Sequence, residues 1–126
     1  TRIGSSAASD VYKRQGCMGI QRYGMAVKLK DDKRQYYIEN HSNVWPEVLE
    51  ELKKINVQNY SIFLKEDFMF GYLEYTGNDF DGDMGKMQQI PIVEKWTKLM
   101  IDCFNPFPNN DDNESWVMMD QIFFME

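Results

Sequence analysis

Two short runs hinged on a polar pair constrain this chain more than anything else in it. Residues 58–65 and 68–75 both read as strands, and only Glu66 and Asp67 separate them, which predicts an antiparallel β-hairpin. The second run is apolar on both faces. Phe68, Phe70 and Tyr72 point one way, while Met69, Leu73 and Tyr75 point the other. Residues 116–125 read the same way, with Trp116, Met118, Ile122 and Phe124 opposed to Val117, Met119, Phe123 and Met125. An antiparallel sheet with one face in water alternates apolar with polar, and these strands do not. Both faces of the sheet therefore need a cover.

The rest of the chain supplies one cover. Residues 22–30 form a first strand, with Tyr23, Met25, Val27 and Leu29 on one face. Asp31 and Asp32 then break the pattern, and 33–40 is helical in composition. Residues 41–44 interrupt that helix, and Pro46 opens another over 46–55 that is expected to bury Val48, Leu49, Leu52 and Ile55. After the hairpin, 77–85 reads as an acidic, Gly-rich break, 84–89 as helix-like, and 92–104 as a helix opened by Pro91 with Val93, Trp96, Leu99 and Met100 at helical spacing. A loop over 105–115 leads to the last strand. The order β-α-β-β-α-β, without repeat or linker, predicts an α+β fold. This is the ferredoxin-like split βαβ arrangement, an antiparallel sheet with helices on one face. The cover expected for the other face is a second copy of the sheet, giving a homodimer of the dimeric α/β-barrel type. The alternative is a monomer whose open face forms a ligand cavity.

Charge and length remove several classes of function. At 126 residues the chain makes one domain, and 43% hydrophobic residues are enough for a core. A net charge of −6 with no basic stripe argues against nucleic acid. No apolar run approaches the roughly 20 residues of a membrane helix. Residues 1–17 have neither periodicity nor the apolar core of a secretory signal. They are expected to be a non-native or disordered leader, with the single domain spanning 18–126 from Met18. Setting Cys17 aside leaves Cys103 alone, which cannot form an intrachain disulfide and suits a reducing cytoplasm. The 8 Phe, 7 Tyr and 3 Trp point toward a pocket for a sugar or another small molecule.

Few residues are equipped for chemistry. His41 is the sole histidine, so a His-based metal cluster is excluded. Tyr37 precedes it by one helical turn, on the same face. His41 lies where one helix stops and the next begins, among Asn40, Ser42, Asn43 and Trp45, a better place for a cleft than for a core. Tyr60 lies beside Asn59 on the edge of the sheet. Trp96, flanked by Lys95 and Thr97, suits either the core or a pocket wall. Asp79, Asp81 and Asp83 lack the Gly and Glu of a calcium loop, since those positions hold Met84 and Ile90. Cys103 has no positive neighbour in sequence and is expected to be inert.

The block Tyr37-Ile38-Glu39-Asn40-His41, followed by Ser42, Asn43, Val44, Trp45, Pro46 and Glu47 and then Asn59-Tyr60, resembles the L-rhamnose mutarotase family. That family's hallmark is Tyr-x-x-x-His followed by a polar residue, two others and Trp-Pro-Glu. Residues 22–30, Glu94-Lys95-Trp96 and Asp120 to Phe124 also fit, so the resemblance covers about 18–126 in matching order. It implies a dimeric ferredoxin-like protein that interconverts the α and β anomers of L-rhamnopyranose with no metal and no cofactor. It further implies that His41 is the proton donor, and that Tyr37, Tyr60 and Trp96 contact the sugar. The second Trp of the family's tandem pair is Thr97 here. That departure bears on which 6-deoxyhexose is bound, L-rhamnose or L-fucose, more than on the type of reaction.

Two other readings share the fold. One is a non-catalytic dimeric ferredoxin-like protein that binds a small ligand. The other is a haem- or quinone-handling oxygenase of the same shape, against which the polar set Tyr37, His41 and Tyr60 argues.

Overall fold

A computed structural model of the chain describes residues 19–108 and 115–126, and the leader expected at 1–17 lies outside them. The hairpin forms as its alternation requires. Strands β2 (Val57–Lys65) and β3 (Phe68–Tyr75) pair antiparallel, and Glu66 takes a left-handed φ of 57° in the turn between them. Strand β1 (Gln21–Leu29) pairs antiparallel with β3, from Gln21 opposite Tyr75 to Lys28 opposite Phe68. The far edge of β1 takes two short strands, β4 (Phe104–Asn105) and β5 (Val117–Met119). The order β2-β3-β1-β4, with β5 also on β1, is that of the split βαβ fold.

Among the described residues four α-helices cover one face. After a 3-10 turn at Asp31–Lys33 come α1 (Arg34–His41) and α2 (Pro46–Lys54), then α3 (Phe80–Gln88) and α4 (Pro91–Ile101). Pro46 and Pro91 sit in the first turns of α2 and α4, where a missing N–H costs nothing. Val27, Leu29 and Met69 of the sheet pack against Tyr37, Val48, Met87, Val93 and Trp96 of the helices. Burial of each such aliphatic side chain contributes about 1.5–3 kcal/mol.

No helix among the described residues covers the opposite face, where the Phe107 ring meets Phe68 at 5.9 Å and the Phe124 ring lies under Arg22. The residues alternating with that core, and their cross-strand partners, put Phe63, Phe68, Phe70 and Tyr72 outward together with Val117 and Met119. Phe63 is 60% exposed, Met119 48% and Phe68 40%.

Three expectations need correction. The last strand does not run over 116–125; it stops at Met119, and the chain leaves the sheet with Phe124 under the Arg22 guanidinium at 4.0 Å. The reason is that one copy offers nothing to bury the tail's apolar side chains, and Ile122, Phe123 and Met125 all remain exposed. The Gly-rich stretch is not a break up to residue 85, because α3 begins at Phe80. The Asp79 carboxylate accepts from the Gly82 amide at 3.1 Å, and the Phe80 ring stacks on Tyr23 at 4.3 Å, so cap and anchor outweigh the low helix propensity of Gly82 and Gly85. Leu49 is not buried with Val48; it borders a cleft instead.

Candidate active site

The interruption of the first helix builds the site. Tyr37 and His41, one turn apart on α1, stack with ring centroids 4.1 Å apart. At the helix end the Ser42 amide donates to the Ile38 and Glu39 carbonyls, and its hydroxyl donates to the Ile38 carbonyl at 3.1 Å. This closes α1 and turns the chain, so that Trp45 leads into α2 with its ring 5.1 Å from Trp96 in an edge-on contact. Trp96 on α4 is buried, 5.3 Å from the His41 ring.

A β-bulge delivers Tyr60. Gln58 faces Glu74 and Ser61 faces Tyr72, so β2 carries one residue more than β3 between these pairs. Asn59 absorbs the extra residue at a φ of 47°, a left-handed conformation that Asn tolerates better than most residues. Its side-chain amide donates to Glu74 at 2.8 Å, and Gln58 and Tyr72 donate to the same carboxylate. These three bonds hold the Glu74 carboxyl below its usual range. The bulge shifts the phase of the strand. Val57 faces the helices, and after the bulge it is Tyr60, Ile62 and Leu64 that do so, rather than Asn59 and Ser61. Had pairing run on from Gln58 without the bulge, Tyr60 would lie opposite Tyr72 on the face away from the helices.

Tyr37, His41, Tyr60, Trp96 and Thr97 all line one cleft of about 320 Å³. His41, Tyr60 and Trp96 also line an adjoining cleft of about 480 Å³, whose wall adds Lys53, Gln58 and Asn59. The five candidate positions therefore converge, although they come from three separate parts of the chain. Sequence reasoning missed Lys53, Gln58 and Glu74, and it missed the apolar wall formed by Met25, Met84, Met87, Trp116 and Met118. The bulge had a signal, since inward apolar positions change from odd at Val57 to even at Ile62. The wall had none, because it is assembled from segments distant in sequence.

Protonation states follow from burial. The Nδ1 of His41 lies 3.1 Å from the Tyr37 carbonyl, which can only accept, so Nδ1 carries the proton and Nε2 keeps its lone pair. Burial pulls the His41 pKa below the usual histidine value, and the bond to the Tyr37 carbonyl opposes the shift. Burial raises both tyrosines: Tyr37 strongly, helped by its neighbours Tyr60 and Cys103, and Tyr60 up to about 12. Two fifths of Tyr60 is nonetheless exposed, so the desolvation falls on its hydroxyl end. Both phenols stay protonated donors at neutral pH. No Asp or Glu is among the described residues lining these clefts, and His41 is the one among them whose ordinary pKa lies near neutrality. No group of three His, Cys, Asp or Glu among the described residues is placed to hold a metal ion. Cys103 is buried, its thiol donates to the Leu99 carbonyl, and burial pushes its pKa up, as expected of an inert thiol.

The L-rhamnose mutarotase family model matches residues 22–125. An L-rhamnose mutarotase of Oceanobacillus iheyensis is 32% identical over 109 residues, covering 85% of this chain and all of that protein. The crystal structure of an L-rhamnose mutarotase from Formosa agariphila superposes with a TM-score of 0.64 at 29% identity, over 84% of this chain and 99% of that one. Tetracenomycin F2 cyclase from Streptomyces glaucescens, at 12% identity and a TM-score of 0.61 over 84% of this chain and 96% of that one, shares the fold alone. The expected α+β ferredoxin-like fold is thus found twice over, and the chain belongs to the L-rhamnose mutarotase family.

Proposed function

We propose that this protein is an L-rhamnose mutarotase, an isomerase that interconverts the α and β anomers of L-rhamnopyranose. The observation that carries the mechanism is the geometry of His41: Nδ1 lies 3.1 Å from the Tyr37 carbonyl, an acceptor, which leaves Nε2 as the base in a cleft whose described lining residues include no carboxylate. Nε2 takes the proton of the anomeric hydroxyl. The O1 electron pair forms the carbonyl as the bond from C1 to the ring oxygen breaks, and the ring oxygen receives the proton. Both oxygens are bonded to C1, so one imidazole serves as base and then as acid. The open aldehyde rotates about C1–C2, and the reverse steps close the ring on its other face. General acid–base assistance of this kind typically contributes ~10²–10⁴-fold. Tyr37 and Tyr60 donate hydrogen bonds to the sugar, and Trp96 offers an apolar platform. Thr97 stands at the wall as a small polar residue in place of an indole. No cofactor or metal enters these steps.

The working unit is a homodimer of the 18–126 domain, two copies packing Phe63, Phe68 and Met119 of their helix-free sheet faces together. No helix among the described residues is long and apolar enough to cross a membrane. The buried free thiol of Cys103 suits a reducing compartment, which supports a cytoplasmic location.

Polarimetry tests the reaction. A freshly dissolved pure anomer of L-rhamnose should relax to its equilibrium rotation at a rate that rises linearly with protein concentration. Relaxation at the buffer rate would leave a non-catalytic binding protein.

A further inference from the structure

The apolar end of the cleft poses a question that the chemistry at His41 does not answer. Trp116 comes from the C-terminal segment, just before β5, and lines the same 320 Å³ cleft as His41 and Thr97. A chain of rings connects it to the base: Trp116 to Phe104 at 5.8 Å, Phe104 to Tyr37 at 5.7 Å, and Tyr37 to His41 at 4.1 Å. The indole is seated on the sheet at Gly71. A Cβ there would come within 3.4 Å of the Trp116 Cζ3, 3.5 Å of its Cη2 and 3.1 Å of the Met25 Cγ. Gly71 faces the helices between Met69 and Leu73, where a strand would otherwise carry a side chain, and the six-membered ring of Trp116 packs over it beside Met25. Met25 and Met118, paired across β1 and β5, flank it with polarizable, adaptable side chains.

We propose that Trp116 is a specificity-determining residue of this site, closing the cleft around the C6 methyl of a 6-deoxyhexose. The assignment rests on the mutarotase reading. In the pyranose, C6 is attached to C5, which is bonded to the ring oxygen. With C1 at His41, the C2 and C3 hydroxyls and the C5 methyl lie on opposite sides of the ring, so the hydroxyls face the wall that carries Lys53, Gln58 and Asn59 while the methyl faces the apolar end that carries Trp116. A flat indole backed by thioethers accepts a methyl group and leaves a C6 hydroxyl without a partner.

The test uses three sugars that differ only at C6: L-rhamnose (methyl), L-mannose (hydroxymethyl) and L-lyxose (no C6). Anomer exchange is measured for the wild type, Trp116→Ala, Trp116→Phe and Gly71→Ala. Trp116→Ala should lower the kcat/KM preference for L-rhamnose over both other sugars by about tenfold or more, chiefly through KM. Trp116→Phe should fall between. Gly71→Ala, whose Cβ would press on the Met25 Cγ at 3.1 Å and so crowd the wall beside the indole, should raise KM for L-rhamnose more than for L-lyxose, and it carries the test if Trp116→Ala fails to fold. Preferences that stay as in the wild type, or equal losses on all three sugars, would overturn the role given to Trp116 and leave the mutarotase reading intact. A folded wild type that accelerates none of the three would overturn both.

Discussion

Replacing His41 by Asn separates its catalytic from its structural part. An Asn side-chain amide reaches roughly where Nδ1 sits, so it still donates to the Tyr37 carbonyl, now 3.1 Å from Nδ1, but nothing remains at the position of Nε2. What the fold loses is the stack on Tyr37 at 4.1 Å, about 0.5–1.5 kcal/mol for an aromatic pair. His41→Ala loses the hydrogen bond as well, another ~0.5–1.5 kcal/mol. For a domain of this size each kcal/mol lowers Tm by about 4–8 °C, so the Asn variant stays folded at 25 °C. Its rate should fall ~10²–10⁴-fold, which is about 3–5 kcal/mol in the barrier. Polarimetric relaxation of a pure L-rhamnose anomer gives the rate, and thermal unfolding followed by circular dichroism gives the stability. A folded Asn variant that relaxes the sugar at the wild-type rate refutes the assignment of Nε2 as the base.

The pH profile carries a sign of its own. Burial holds the His41 pKa below the ordinary ~6.5, so exchange should persist into mildly acidic buffer and decline with a midpoint below that value; a midpoint above it would contradict the geometry. The folded chain binds this proton less tightly than the unfolded chain. The linked stability is therefore complete above ~6.5 and is lost as pH falls through the lower folded value, a loss that unfolding of His41→Asn should not show. At Asn59 the left-handed backbone decides. Asn59→Gly loses the bond to Glu74 and keeps the conformation, while Asn59→Val should cost ~1–2 kcal/mol more in denaturant unfolding and lower kcat/KM by displacing Tyr60. Equal behaviour of the two variants would show that the bulge does not place the tyrosine. Phe63→Asp, on the helix-free face, should turn a dimer into a monomer in sedimentation equilibrium, and a wild type that is already monomeric would remove the facing-sheet assembly.

How much of this was legible in the residues depends on range. The hairpin and the helix opened by Pro46 follow from neighbours in sequence, and the structure places them within a residue or two of where patterning does. The Tyr37 and His41 pair is equally local, one helical turn fixing its geometry. The start of α3 was obscured by its glycines, because propensity counts Gly82 against a helix while the Asp79 cap puts that residue's amide to use. The final strand reads too long because apolar residues resume past Met119 at Ile122 to Met125, although strand pairing also needs something to bury. Tyr60 illustrates the middle range, since its identity was readable but its direction depends on one extra residue in β2. Trp116 reads only as a strand residue in the sequence, because its place in the cleft depends on packing over Gly71, 45 positions earlier.

The central claim is that this cleft exchanges L-rhamnose anomers through His41. Saturation-transfer proton NMR at anomeric equilibrium tests it most directly, irradiating the α-anomeric proton and observing the β signal on L-rhamnose and, separately, on L-fucose. Micromolar wild-type protein should transfer saturation on L-rhamnose, more strongly than on L-fucose, and His41→Asn should bring the transfer back to the buffer level. Absence of transfer on L-rhamnose with folded wild-type protein would contradict the account.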